Sequence, residues 1–123
     1  MRTILSLLAA LVAIPHAARA QDPAPDSAAI RKAASVLKSD LRNFVTAQEA
    51  YFADHTTYAT SVSQMRFRPS PGVTLVILTS SSNAHSEIAI IERVPGLVCA
   101  MFIGDGPPPL GRGEEGAPVC RGP

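Results

Sequence analysis

The side chains of this 123-residue chain that could carry out catalysis are few and scattered. His55 follows a helical pattern, where an imidazolium would interact favourably with the carboxyl end of the helix dipole. His85 lies in a polar segment that predicts a solvated turn. Asp54 and Glu49 are five residues apart, a spacing that does not place two carboxylates on one helical face. We therefore predict no acid–base pair.

Four further segments favour structure over chemistry. The serines at 80–82 lack the Gly-x-Ser-x-Gly context of a hydrolase nucleophile. Gly104-Asp105-Gly106 lacks the alternating oxygen ligands of a calcium loop, so we predict a tight turn there. The charged residues within 111–115 indicate a solvated loop tip. The aromatic residues near 51–58 favour packing over a ligand-stacking platform. We expect no catalytic, cofactor-binding or metal site, and therefore no enzyme.

Cys99 and Cys120 are the only cysteines, so a single intramolecular pairing is available. The rival interpretation is a metal pair. A structural zinc site needs four ligands, and His55 and His85 are the only histidines after residue 20. We therefore predict a disulfide, which would constrain the unfolded chain by about 3 kcal/mol.

The first 20 residues have the layout of a secretory signal peptide. Met1-Arg2 is basic, residues 4–14 are apolar apart from Ser6, and Ala18-Arg19-Ala20 offers small residues for cleavage before Gln21. The apolar run is shorter than the roughly 20 residues that span a bilayer. An uncleaved anchor is the alternative. The interpretation predicts an exported protein, periplasmic or extracellular, with no membrane association after cleavage.

The composition suits one small folded domain. Hydrophobic residues make up 46% and charged residues 17%, which is not the profile of a disordered chain. Beyond residue 20 there are nine basic and ten acidic residues, so the chain lacks the basic surplus that nucleic-acid binding needs. We divide it into a signal peptide (1–20), a Pro-rich lead (21–25) and one domain (26–123).

The pattern after the lead predicts one long helix and then short strands. Asp26 or Ser27 can cap a helix that runs to about Asp54. Its apolar positions recur at intervals of three, four and seven, with Gln48 as a polar interruption. Tyr58 to Met65 is predicted as a polar connection, with one further turn of helix as an alternative, and Pro69, Pro71 and Gly72 then break any helix. The strands are predicted at 73–79, 87–94 and 97–103, with Pro95-Gly96 in a type II turn and a short edge strand at 118–120. The fold class is α+β, with a long amphipathic helix on a 3–4-stranded antiparallel meander.

Several of these features resemble type IV pilin-like proteins. Gln48-Glu-Ala-Tyr-Phe-Ala53 followed by Thr57-Tyr58 is similar to the end of their long helix. The Ser70-Pro-Gly-Val-Thr-Leu75 segment, the meander, a Cys in the third strand, a Gly/Pro-rich loop and a terminal Cys follow in the same order. The resemblance covers residues 37–123 and implies a pilin or pseudopilin head with a disulfide-closed carboxyl-terminal region. The family's leader, ending in Gly before Phe with a Glu shortly after, has no counterpart here.

Two functional hypotheses follow. The first is a non-enzymatic module that binds a protein, either a second copy or a pilin-like helix. The second is a periplasmic small-ligand-binding protein or minor hydrolase, which would need a deep pocket.

A 29-residue helix is about 43 Å long, whereas strands of seven or eight residues reach about 23–27 Å. We therefore expect the first half of the helix to overhang the sheet and present an interface stripe of Ile30, Ala33, Ala34 and Leu37. The alternative is that residues 26–36 fray or fold onto the carboxyl-terminal loop.

Overall fold

The computed structural model describes residues 25–123, so the predicted signal peptide and residues 21–24 of the lead lie outside the described residues. It confirms the α+β class. One helix, α1 (Ser27–His55), packs against a four-stranded antiparallel sheet of β1 (Val73–Ser80), β2 (His85–Ile91), β3 (Val98–Ile103) and β4 (Val119–Arg121). The strands are hydrogen-bonded in the order β1-β2-β3-β4, which is the meander that the short connections predict.

Both ends of α1 have local causes. The side chain of Asp26 accepts a hydrogen bond from the Ala29 amide, so Asp26 rather than Ser27 is the cap. At the other end Thr56 adopts a left-handed conformation (φ 57°), and its amide donates to the Phe52 carbonyl. Helix α1 therefore ends at His55, within a residue of the predicted position.

The connection between α1 and β1 holds a 3₁₀ helix (Val62–Gln64) and then crosses the middle of α1. There, the buried carboxylate of Asp40 accepts hydrogen bonds from both the amide and the hydroxyl of Ser70. This contact ties the Pro-rich segment before β1 to the helix.

The core lies between α1 and the sheet, with the helix crossing β2 and β3. Leu41 and Phe44 are fully buried, and the ring of Phe44 packs edge-on against Phe67 at 5.4 Å. Val45 is half-buried against the same cluster, while Phe52 is half-buried and packs on Tyr58. The apolar period predicts that Leu41, Phe44, Val45 and Phe52 share the inner face of α1; this is confirmed for Leu41 and Phe44, whereas Val45 and Phe52 are only half-buried.

Two strand boundaries, both of β2, differ by more than one residue from those predicted. Strand β2 begins at His85 rather than Glu87 and ends at Ile91 rather than Val94. Two successive turns follow it, in which the Val94 amide donates to the Ile91 carbonyl and the Leu97 amide donates to the Val94 carbonyl. Gly96 has a φ of 87°, as the predicted type II turn requires.

Candidate functional site

The predicted interface stripe is largely part of the core. Ala33 and Leu37 are fully buried within the chain, whereas Ile30 and Ala34 are half-buried at its margin. The expectation that all four present a free surface is therefore wrong for Ala33 and Leu37. The lengths of the strands alone underestimate how much of α1 is buried. Val94 and Leu97, which lie in the connection between β2 and β3, belong to the same buried cluster as Ala33 and Leu37.

A row of side chains does remain accessible beside this margin. Ile30, Ala34, Lys38 and Arg42 follow one another at intervals of four and form one ridge along the helix. Arg42 is exposed and the other three are half-buried. Within residues 25–123, neither Lys38 nor Arg42 forms an ion pair. The ridge thus combines an apolar, small-residue end with a cationic end.

Cys99 and Cys120 form the predicted disulfide, with an S–S distance of 2.04 Å. The two residues are directly opposite each other in the β3–β4 ladder. Cys99 is fully buried, and the bond joins the three-residue β4 to the core. Disulfides of this kind are characteristic of proteins that fold in an oxidising environment.

The segment after α1 is held by side chains of the helix. The side chain of Gln48 accepts from the Ala59 amide at 2.8 Å and donates to the Ala59 carbonyl at 3.1 Å. The hydroxyl of Tyr58 donates to Glu49 at 3.1 Å, and the Tyr58 amide donates to the Ser81 carbonyl. Burial, followed by the hydrogen bond to Glu49, raises the pKa of Tyr58. This junction therefore joins the carboxyl-terminal half of α1 to the β1–β2 turn.

Beneath the junction lies an ionisable pair that the sequence reasoning missed. The His85 Nδ1 atom is 2.7 Å from Glu87 Oε2, and neither side chain has any solvent exposure. The expectation that His85 is solvated in a turn is wrong, because β2 begins at this residue and turns its side chain towards the helix. The alternation of His85 and Glu87 around Ser86 was the available signal, since residues two apart in a strand share a face.

Burial raises the pKa of Glu87, and the adjacent His85 opposes that rise only in part. A carboxyl group that leaves water loses hydration of its charged form, so burial favours the protonated acid. Glu87 therefore keeps its proton to a higher pH than a solvent-exposed glutamic acid. Neither side chain of the pair is exposed to solvent in this structure.

His55, by contrast, lies at the surface. Its ring stacks on Tyr51 at 3.9 Å and its Nδ1 hydrogen-bonds the Tyr51 carbonyl, in the last turn of α1, as the dipole argument predicts. With Asp54 and Arg66 it lines an open groove of about 230 Å³. A second cleft, of about 50 Å³, lies beside His85, Thr79 and Phe102.

The part of the chain that the structure describes holds no metal site and no membrane-spanning helix. Residues 25–123 contain no group of three His, Cys, Asp or Glu side chains placed to bind a metal ion. Helix α1, the long helix of that part, lacks an apolar stretch sufficient to cross a bilayer. No protein-family model and no curated protein matches this sequence.

Proposed function

We propose that this chain is an exported, non-enzymatic interaction module that resembles the head of a type IV pilin or pseudopilin and binds a protein partner through α1. The observation that carries the proposal is the ridge of Ile30, Ala34, Lys38 and Arg42, which runs along the flank of a long helix already anchored to a sheet. A helix held on one side presents a straight, preorganised surface on the other, which lowers the entropic cost of docking.

The residue types of the ridge suit a helical partner. Ala34 permits close approach of a second backbone, and Ile30 supplies apolar contact at the margin of the core. Lys38 and Arg42 would pair with carboxylates of the partner, since they form no ion pair within residues 25–123. The partner is a second copy of this chain or a pilin-like helix.

The pilin resemblance and export rest on separate observations. The long helix, the antiparallel meander and the closed carboxyl-terminal region follow one another as the resemblance implies. The disulfide is compatible with folding outside the cytoplasm, as the signal-peptide pattern of residues 1–20 predicts.

The test is charge reversal along the ridge. The variant Lys38→Glu with Arg42→Glu should keep its melting temperature and lose self-association in sedimentation velocity, or lose cross-linking to its partner in cells of the source organism. Ser35→Glu with Ser39→Glu is the matched control, because it places two carboxylates at exposed positions of the same helix off the ridge. Equal association of both variants and the wild type would overturn the proposal.

The alternative function, a small-ligand-binding protein, is favoured by one observation. Asp54, His55 and Arg66 place groups of both charge types around the groove of about 230 Å³. A thermal-shift screen against small zwitterionic metabolites tests it. A saturable rise in melting temperature that Arg66→Ala abolishes would favour this alternative over the interaction module.

A further inference from the structure

His85 and Glu87 lie next to the junction in which Tyr58 and Ala59 contact α1, so a change in the protonation of the pair would affect that junction. The His85 ring contacts the Tyr58 ring edge-on, with centroids 4.5 Å apart, and the Phe44 ring at 6.3 Å. Tyr58 in turn is bonded to Glu49 of α1 and, through its amide, to Ser81. The pair therefore supports the ring that joins α1 to the β1–β2 turn.

The pair has little capacity to tolerate a net charge. His85 Nε2 and Glu87 Oε1 are buried and have no hydrogen-bond partner among residues 25–123. Both side chains are fully buried, so solvent does not screen a charge placed on them. With one shared proton the pair is neutral overall. Without that proton it is a buried carboxylate beside a neutral imidazole.

The charged groups named around the junction and the pair are acidic. From α1, Glu49 reaches the Tyr58 hydroxyl, and from the carboxyl-terminal loop Glu115 acts on the same tyrosine. Asp105, after β3, lines the small cleft beside His85. The strand neighbours of the pair carry no charge: Met101 and Ile103 on β3, and Ile77 and Ser80 on β1. If the pair loses its proton and becomes anionic, the neighbouring carboxylates repel it. If the pair gains a second proton and becomes cationic, the same carboxylates partly offset its positive charge.

We propose that His85 and Glu87 form a proton-dependent latch, which holds Tyr58 and Ala59 onto α1 while the pair keeps its proton and releases them as the pair becomes anionic. The device is independent of the partner-binding function proposed above. It makes the junction, rather than the whole fold, sensitive to pH.

The direction follows from Glu87. Because its pKa in the folded protein is raised above the ordinary value of 4.5, the stabilisation from its protonated form is fully present below about pH 4.5. It is lost as the pH rises through the folded pKa. The latch therefore loosens with increasing pH, by up to about tenfold in the opening equilibrium per pH unit across that window.

Amide hydrogen exchange measured by NMR provides the test. After correction for intrinsic exchange rates, protection of the Tyr58 and Ala59 amides should fall as the pH rises above about 4.5. Protection of the Leu41 amide, within α1, should fall less, because it reports opening of the core. Equal changes at all three amides, or no change at Tyr58 and Ala59, would overturn the latch.

The variant Glu87→Gln keeps the shape of the side chain but cannot ionise, and should abolish the pH dependence at Tyr58 and Ala59. Glu49→Gln and His55→Gln are matched controls that remove a neighbouring titratable group outside the pair, and both should retain it. Should Glu87→Gln fail to fold, His85→Leu with Glu87→Leu replaces the pair with apolar groups and should be equally independent of pH. Persistence of the slope in either variant would overturn the proposal.

Discussion

The side-chain amide of Gln48 pairs with both backbone polar groups of Ala59, eleven residues further along the chain. Both residues are buried, with exposures of 0% and 1%. One polar position on the inner face of a helix thereby satisfies a buried donor and a buried acceptor of the following segment. The polar interruption in the apolar pattern of α1 is a structural element, and it holds the same segment that Tyr58 anchors.

The replacement Gln48→Leu should destabilise the protein by about 2–4 kcal/mol, because it leaves the Ala59 amide and carbonyl buried without partners. Urea denaturation monitored by circular dichroism measures the loss. Gln64 is the matched control, since its side chain also accepts from backbone amides, those of Thr60 and Ser61, but at the surface. Gln64→Leu should cost less than about 1 kcal/mol because water can replace those bonds. Similar costs for both would show that burial does not determine the role of Gln48.

Phe44 is the largest fully buried side chain of the core, and Phe44→Ala should cost about 3–5 kcal/mol through lost transfer energy and the resulting cavity. The free energy of unfolding of a domain of this size is about 5–10 kcal/mol in total, so the melting temperature should fall sharply. Phe52→Ala, on the same helix but only half-buried, should cost clearly less. A shift of only a degree or two for Phe44→Ala would contradict the observed packing.

Removal of the disulfide by Cys99→Ser with Cys120→Ser should lower the free energy of unfolding by about 3 kcal/mol, since the unfolded chain regains the freedom of the closed loop. Hydrogen exchange should show the greatest loss of protection in β4, because only three residues of that strand pair with β3. Mass spectrometry of the non-reduced protein should detect no free thiol. Two free thiols would contradict the assignment.

Gly104, directly after β3, should not tolerate a side chain. Its φ is 79°, and an added Cβ would overlap the Asn83 carbonyl in the β1–β2 turn. We expect Gly104→Ala to cost about 2–4 kcal/mol, since it combines left-handed strain with a backbone clash. Gly111→Ala, at a similar φ of 71° but with open space around the added Cβ, should cost only about 1 kcal/mol. Equal losses in thermal denaturation would show that the close approach to Asn83 is unimportant.

Much of the fold follows from local patterns in the sequence. The apolar period of 3.6 and the Asp26 cap specify α1, and Pro95-Gly96 specifies the turn between β2 and β3. Two cysteines without enough other ligands for a zinc site specify the disulfide. The helix and the turn are predictable because each depends on residues that are close in sequence. The disulfide is predictable because two cysteines allow only one intramolecular pairing.

Which surfaces stay accessible was decided only by the tertiary structure. The period of α1 identifies an inner face but not its length, which the packed chain extends to Ala33 and Leu37 in one buried cluster with Val94 and Leu97. In the same way, the polar residues before His85 suggest a solvated turn, and only the structure shows that β2 begins at His85 and that His85 and Glu87 are buried. Burial depends on what distant segments place over a residue, and neither period nor composition records that. For this reason only the tertiary structure shows the contact of Gln48 with Ala59 and the buried pair of His85 and Glu87. The helix and the disulfide, in contrast, are predictable from the sequence alone.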